Sequence, residues 1–300
     1  MKALNTLIVR TLPFVPTPLI RRFASRYVAG ETLAQALEVV RRLNAEGCMA
    51  TLDVLGEDIT NFSETESTVT EYREALTAIA REGVDSSVSV KLTALGLKLD
   101  PQECRRQFGR ILETARLHSN FVRIDMEDSS VTEETIQIYE ESRAKGYGVG
   151  LVLQAYLRRS RDDALRAADE RANVRVCKGI YVEPPSIAYH GPEEIRESYA
   201  QMVETLLGAG CYTGIATHDV VLVERALATI ERLRLEPSAY EFQMLLGVAA
   251  SLRRRLVASG HRLRVYVPFG HAWQAYSLRR LKENPAIAGQ VLKNLFSAGG

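Results

Sequence analysis

The sequence predicts an α/β protein, a (β/α)8 TIM barrel that is preceded by an N-terminal helical arm. From residue 48 onward, short β-type runs alternate with longer amphipathic runs, and eight strand–helix units are typical of this barrel. The 300 residues, 46% hydrophobic and 25% charged, suffice for one such domain. A doubly wound open sheet is the structural alternative. No GxGxxG motif follows the first predicted strand, so no nicotinamide-type dinucleotide site is indicated.

We assign residues 1–47 to the arm and residues 48–300 to the barrel. The stretch 1–30 contains five basic residues, three prolines and no acidic residue. Its apolar run "ALNTLIV" is short, and the prolines of "VPTPL" interrupt the next apolar residues, so we interpret the stretch as helical rather than as a cleaved signal. Because basic and aliphatic residues are mixed in it, peripheral contact with the inner face of a membrane is a second hypothesis.

The eight predicted strands are rich in Val, Ile, Leu and Tyr, as buried strands of a parallel barrel should be. In chain order they are "CMATLDVL" (48–55), "SSVSVKL" (86–92), "NFVRIDM" (120–126), "GVGLVLQ" (148–154), "NVRVCKGIY" (173–181), "YTGIAT" (212–217), "AYEFQML" (239–245) and "LRVYVP" (263–268). Helices are predicted between them wherever apolar residues recur at i, i+3, i+4 and i+7. The clearest cover residues 63–83, 101–118, 131–146 and 219–235.

Composition excludes several classes of protein. A formal net charge of +1 argues against a nucleic-acid binder, which usually has a strongly basic face. The four cysteines are scattered without a CxxC pair, and the five histidines show no ligand spacing, so neither a disulfide framework nor a metal site is indicated. No apolar run reaches the roughly 18 residues of a membrane span. We expect a reduced cytoplasmic protein and leave its oligomeric state open.

Polar residues end nearly every predicted strand, and barrel enzymes hold their active sites at that end. Charged residues within buried strands carry a solvation penalty unless they meet partners or ligands. In strand order the residues are Asp53 and Glu57, Lys91, Asp125, Gln154, Arg175 and Lys178, Thr217 and His218, Glu241 and Gln243, and Tyr266. This distribution predicts a ligand pocket at the carboxyl ends of the strands.

The charges that converge on this pocket favour an anionic ligand. The basic residues are Lys91, Arg175, Lys178, Arg279 and Arg280, against the acidic residues Asp53, Glu57, Asp125 and Glu241. On a helix, Arg279 and Arg280 follow Tyr276 on one side, and the arginine fork suits a carboxylate. A solvated pair at the end of the last helix is the alternative. Asp219, after the sixth strand, is a candidate N-cap.

Several motifs in order carry a resemblance to a known family. They are "LDVLGED", "VSVKLTALGL", "VRIDMEDS", "LVLQAYLRRS", "VRVCKGIYVEP", "IATHD", "YEFQMLLG" and "VYVPFGHAWQAYSLRRLKENP". With these motifs the chain resembles the proline dehydrogenases, of the monofunctional bacterial type. These FAD-dependent enzymes oxidise L-proline to Δ1-pyrroline-5-carboxylate, the first step of proline catabolism to glutamate, and pass the electrons to a quinone. The resemblance covers nearly the whole chain and implies a distorted (β/α)8 barrel.

The resemblance also implies roles for individual residues. Lys91, Arg279 and Arg280 would hold the substrate carboxylate, with Leu245 and Tyr276 as walls of the substrate pocket. Asp125, Arg175 and Tyr266 would be the catalytic residues, and Arg175 would lie near the flavin N5. The FAD contacts would be Met126, Gln154, Arg175, Lys178, Gly179, Ile180, Thr217 and His218. Glu57 would pair with one clamp arginine and act as a gate.

Two departures from the family pattern and several competing functions accompany this assignment. Ile180 stands where the family often has a small residue, and Val182 where some members have an aromatic one. The competing enzymes are a hydroxyproline dehydrogenase and a Schiff-base lyase that uses Lys91 or Lys178 as a nucleophile. A non-catalytic binder of amino acids or flavin is the alternative from another class. The sequence does not identify the electron acceptor.

Overall fold

The computed structural model describes residues 26–274 and Tyr276. Eight parallel strands close into one barrel in the order β1 to β8, and β8 pairs with β1. The strands are β1 (Met49–Val54), β2 (Ser86–Val90), β3 (Val122–Ile124), β4 (Val149–Gln154), β5 (Val174–Cys177), β6 (Thr213–Ala216), β7 (Tyr240–Leu245) and β8 (Leu263–Phe269). The closed barrel confirms the predicted fold class and excludes the open sheet.

One helix precedes β1, and a helix connects each successive pair of strands, as the periodicity predicts. They are α1 (Leu33–Ala45), α2 (Thr65–Glu82), α3 (Pro101–Leu117), α4 (Thr132–Ala144), α5 (Ser160–Asp169), α6 (Pro192–Gly208), α7 (Val220–Leu233) and α8 (Ala250–Ala258). Short 3-10 turns precede α2, α4 and β7 and follow β2. Among these described segments no helix is long and apolar enough to cross a membrane.

Local chemistry explains where several helices begin and end. The side chain of Asp100 accepts hydrogen bonds from the backbone N–H groups of Gln102 and Glu103, and Pro101 occupies the first turn of α3. The side chain of Asp219 accepts from the N–H of Val221 and caps α7, which confirms the predicted N-cap. Helix α2 ends at Gly83, whose positive φ is easily adopted by glycine.

The core lies between the barrel wall and the helices. Aliphatic side chains such as Leu52, Val88 and Val176 are fully buried and pack against the buried faces of α1 to α8. The barrel interior is unusually polar: Asp53, Arg175 and Glu241 are also buried. These charges must be balanced inside the barrel, because a buried unpaired charge is strongly unfavourable.

The described part of the arm lies against the carboxyl end of β8. Tyr27 and Val28 are buried, and the N–H of Ala29 donates to the carbonyl of Pro268 over 2.9 Å. Helix α1 adds its apolar face, including Leu37 and Val40, to the barrel core. Residues 1–25 lie outside the described part, so the assignment of residues 1–47 to a separate arm stays a prediction.

Candidate active site

A cavity of about 370 Å³ opens at the carboxyl ends of the strands, where the sequence predicts a pocket. Apart from Glu57, all the described residues to which the resemblance gives a role line it: Lys91, Asp125, Met126, Gln154, Arg175, Lys178, Gly179, Ile180, Thr217, His218, Leu245, Tyr266 and Tyr276. Arg279 and Arg280 lie outside the described residues. The half-buried Glu57 follows β1 and is not among the lining residues. Its role as a gate stays a prediction.

Asp125, just after β3, is the centre of the hydrogen-bond network. Its Oδ1 accepts from Ser89 Oγ over 2.8 Å and from an Arg175 guanidinium nitrogen over 2.7 Å. Its Oδ2 accepts from the Tyr266 hydroxyl over 2.7 Å. Burial and the negative charges of Asp125 and Asp53 raise the pKa of Tyr266 well above its usual value. The phenol therefore stays protonated and can donate this hydrogen bond across the physiological pH range.

Arg175 lies beneath this network on β5. Its guanidinium group is buried and stands 5.5 Å from the centre of the Tyr266 ring. The Nε atom of Arg175 is buried without a hydrogen-bond partner in the described part of the chain. A buried donor of this kind carries a desolvation cost unless a ligand or water accepts from it. Arg175 thus has a donor left for a ligand acceptor.

Lys91, just after β2, forms a buried ion pair with Asp53 on the neighbouring strand β1. Their Nζ and Oδ1 atoms are 2.6 Å apart, and Lys91 Nζ also lies 3.3 Å from the Tyr266 hydroxyl. Burial lowers the pKa of Lys91, but attraction to Asp53 and Asp125 outweighs it, and the net shift is upward. Lys91 is therefore an ammonium ion at neutral pH. The Tyr72 hydroxyl approaches the same Asp53 oxygen at 3.5 Å.

A second group of polar side chains lies at the ends of β5 and β6. Asp219 Oδ2 accepts from Lys178 over 2.6 Å and from Arg196 over 2.8 Å. Burial opposes ionisation of Asp219, but these two cations hold its pKa at about 2. Thr217 Oγ1 accepts from the N–H of Asp219, and His218 Nε2 accepts from the N–H of Leu245. The carboxylate fixes the orientation of Lys178, whose ammonium group is partly exposed.

The middle of the cavity wall combines amide and apolar groups. The Gln154 side-chain amide donates to the carbonyl of Glu127 over 2.8 Å, which fixes its orientation. Met126 is buried beside it. The Glu127 carboxyl group accepts from the N–H and hydroxyl of Thr93, and burial raises its pKa to about 7. Through its side-chain carboxyl group and its backbone carbonyl, Glu127 joins the turn after β2 to the wall formed by β4.

The loop after β5 explains the requirement for glycine and the effect of the two departures. Gly179 has φ +101°, and an added Cβ would overlap the ring of Tyr156. Only glycine fits this conformation and this close packing. Ile180 lines the cavity with 47% of its surface exposed, whereas Val182 is fully exposed and is not a lining residue. Of the two departures, Ile180 alone changes the lining of the cavity.

The structure corrects one placement and adds residues that the sequence does not single out. Glu241, which the sequence places among the pocket charges, instead pairs with Arg264 over 2.8 Å nearer the amino ends of the strands. It sits early in β7, so its side chain lies in a lower layer of the barrel interior.

The additional residues that line the cavity are Val152, Cys177, Tyr181, Ala216 and Met244. Apolar strand residues carry no signal for a site. Burial raises the pKa of Cys177 to about 11, so it is a thiol.

Comparison with known proteins identifies the family. A family model described as proline dehydrogenase matches residues 36–293. Proline dehydrogenase 1 of Bacillus subtilis subsp. natto is 36% identical over 272 residues, which are 91% of this chain and 90% of that protein. Proline dehydrogenase of Deinococcus radiodurans is 34% identical over 280 residues, with 91% and 89% covered. The near-complete coverage of both chains fits the monofunctional type.

A solved structure shows the same fold. The crystal structure of proline utilization A (PutA) from Bdellovibrio bacteriovorus superposes with a TM-score of 0.84 and 24% identity. The match covers 95% of this chain and 37% of that chain, so the barrel corresponds to one part of a larger protein. With an eight-stranded barrel, a cavity with several charged side chains at its mouth and a family match over most of its length, the chain belongs to the proline dehydrogenase family.

Proposed function

We propose that this chain oxidises L-proline to Δ1-pyrroline-5-carboxylate with FAD as its cofactor, and that a quinone reoxidises the flavin. The observation that carries the proposal is the cavity in which Lys91, Asp125, Arg175 and Tyr266 converge beside the residues assigned to the cofactor. Membership of the family supports the same reaction.

The residues of the cavity fit a flavin. A volume of about 370 Å³ lies within the range of cofactor sites. The unsatisfied Nε of Arg175 is a donor for a ring acceptor, and the walls at Met126, Val152 and Ala216 are apolar. Gln154, Lys178, Gly179, Ile180, Thr217 and His218 would hold the remaining groups. When bound, FAD supplies the hydride acceptor, which no side chain can provide.

The substrate side of the cavity suits a carboxylate that is attached to a small ring. Lys91 would bind the carboxylate together with Arg279 and Arg280, while Leu245 and Tyr276 would pack against the ring. Three cations on one carboxylate restrict the ring to few poses, which is an orientational contribution to catalysis. Asp125 and Tyr266 would shape the pocket around the reacting carbon, because each is held by the other. The substrate amine must lose its proton first, so activity should rise toward alkaline pH.

Both lysines are poor candidates for the Schiff-base lyase. A nucleophilic lysine needs a lowered pKa, usually through burial without a counter-charge. Lys91 instead has a raised pKa beside Asp53, and Lys178 contacts Asp219 at 2.6 Å. Each ammonium group therefore faces a carboxylate at close range. This pairing argues against a nucleophilic role for either lysine.

An anaerobic titration tests the proposal. The purified protein should be yellow, and stepwise addition of L-proline should bleach its visible absorbance in proportion to the enzyme present. trans-4-Hydroxy-L-proline, added in a parallel titration, distinguishes the two candidate dehydrogenases by the extent and rate of bleaching. A colourless protein that retains no FAD after reconstitution, or a yellow one that L-proline leaves oxidised, would contradict the assignment.

A further inference from the structure

A second cavity, of about 180 Å³, lies below the candidate active site at the amino ends of the strands. We call it the lower cavity. Its walls include Arg123 on β3, Glu241 on β7 and Arg264 on β8, together with Arg262 just before β8. Arg175 and Gln243 line both cavities and separate them. None of the residues assigned to substrate or flavin, apart from Arg175, belongs to the lower cavity.

The charges around the lower cavity do not balance within the described chain. Arg264 pairs with Glu241, and Arg175 pairs with Asp125 on the upper side. Burial alone would raise the pKa of Glu241, but the Arg264 guanidinium group holds it at about 2, so this carboxylate is fully ionised and already paired. Asp85, the other carboxylate that acts on Arg264, is exposed and does not line the lower cavity. Among the described residues, Arg123 and Arg262 form no ion pair with a carboxylate.

Arg123 is a buried cation whose hydrogen bonds all go to neutral groups. It is 3% exposed, and its guanidinium group donates to the carbonyl oxygens of Leu151 and Asn173 and to the Asn173 side chain. All three bonds go to neutral oxygens, and two of the five N–H donors remain. Burial and repulsion by Arg175 lower the pKa of Arg123 to about 9. A buried cation with spare donors is stabilised by an anion that accepts from them.

We propose that the lower cavity is a binding site for one small inorganic oxyanion of the phosphate or sulfate type. Arg123 and Arg262 would be its principal ligands, with Arg264 held by Glu241 at its side. The guanidinium fork matches the spacing of two oxyanion oxygens, and a site partly enclosed by protein strengthens the attraction relative to water. The ion would act as a buried counter-charge that stabilises the barrel beneath Arg175.

Equilibrium dialysis of the FAD-loaded, full-length protein against radiolabelled inorganic phosphate, and separately sulfate, tests this site at constant ionic strength. We expect saturable binding of about one ion per chain. Arg123→Gln and Arg262→Gln should each weaken it at least tenfold, whereas Glu241→Gln removes the competing negative charge and should tighten it. The exposed Arg161 on α5 provides a matched control, and Arg161→Gln should leave binding unchanged.

Thermal unfolding provides an independent readout, because a ligand that binds only the folded state raises the melting temperature. At about 100 times the Kd the midpoint should rise by roughly 5 °C in the parent and by much less in Arg262→Gln. This residue lies partly exposed at the rim, so the variant should fold even if Arg123→Gln does not. The proposal is overturned by the absence of saturable binding, by binding insensitive to both arginine variants, or by preference for chloride. Displacement with L-proline would also overturn it, because it would place the ion in the active-site cavity.

Discussion

At the scale of single residues, Asp125 accepts hydrogen bonds from three strands around the active-site cavity. Ser89 on β2, Arg175 on β5 and Tyr266 on β8 all donate to it. Each of these side chains belongs to a different strand, so the carboxylate fixes the relative positions of three parts of the barrel. Its bond to the Tyr266 hydroxyl also keeps that group directed into the pocket.

The proposed carboxylate clamp is tested most directly at Arg280, which lies outside the described residues. Arg280→Met removes one charge-assisted contact and should lower kcat/KM for L-proline, mostly by raising KM. The loss should correspond to about 2–4 kcal/mol of transition-state stabilisation. Steady-state kinetics with a soluble dye as acceptor measures the change. Arg161→Met, at an exposed site on α5, is the control. An unchanged KM in Arg280→Met would exclude the clamp at this residue.

The ion pair between Lys91 and Asp53 predicts a pH effect. Asp53→Asn removes the main attraction that raises the pKa of Lys91, so burial then lowers that pKa. The ammonium group is needed to bind the carboxylate, and it is lost as pH rises through its pKa. The variant should therefore show KM for L-proline rising at a lower pH than in the parent. A pH series of KM provides the measurement, and coincident profiles would show that Asp53 does not hold the charge on Lys91.

At the scale of elements, the sequence pattern predicts all eight strands in order, but their ends are set by loops. The predicted fifth strand covers residues 173–181, whereas β5 is Val174–Cys177. Gly179 adopts a positive φ and turns the chain away, a conformation that periodicity does not report. β3 likewise ends at Ile124, which leaves Asp125 in the loop with its side chain in the cavity.

The sequence predicts most of the polar residues that line the described part of the cavity, but it does not predict how they pair. Register brings Asp53 on β1 opposite Ser89 on β2, and only this alignment lets Lys91 reach across to Asp53. The expectation for Glu241 is wrong for the same reason: a polar residue in a strand does not reveal how far along the barrel axis its side chain lies. Motifs identify residue types, whereas the shear of the closed barrel decides which of them meet.

Gly247, in the loop after β7, tests how the arm is held on the barrel mouth. It has φ +75°, and an added Cβ would overlap the carbonyl oxygen of Arg26. Gly260 has φ +83° with open space around it. Both alanine variants carry the left-handed penalty of about 1–2 kcal/mol, and only Gly247→Ala must also displace the arm. Its free energy of unfolding, from urea titration, should fall further than that of Gly260→Ala; equal losses would show that this contact does not hold the arm.

At the scale of the whole molecule, Arg–Glu pairs tie neighbouring helices together around the barrel. They are Arg41–Glu82, Arg110–Glu66, Arg105–Glu134, Arg159–Glu133, Arg225–Glu197, Arg255–Glu224 and Arg253–Glu46. Each partly exposed pair contributes little alone. Together they link α1 through α5, join α6 to α8, and return from α8 to the end of α1. A belt of this kind orients the helices without adding net charge, which agrees with the near-neutral total.

The arm departs from that neutrality, and its charge predicts attraction to an anionic membrane. Lys2, Arg10, Arg21 and Arg22 precede the described residues, with no acidic residue before Glu31. Basic residues near an anionic leaflet contribute about 1 kcal/mol each, and interspersed apolar residues add to this. We expect the protein to co-sediment with anionic liposomes at low salt and to release as salt screens the attraction.

The contacts of residues 27–29 with the barrel determine where the arm can be truncated to test its binding to membranes. Tyr27 and Val28 are buried and Ala29 bonds to Pro268, so a deletion that reaches residue 30 would also damage the barrel. Deleting residues 1–25 spares these contacts, and it should abolish liposome binding while proline-dependent reduction of a soluble dye persists. A second variant, with Arg10, Arg21 and Arg22 each changed to Gln, keeps the apolar residues and should lose most of the salt-sensitive binding. If the full-length protein stays in the supernatant at low salt, the arm only packs on the barrel, and the proposed quinone must reach the flavin without it.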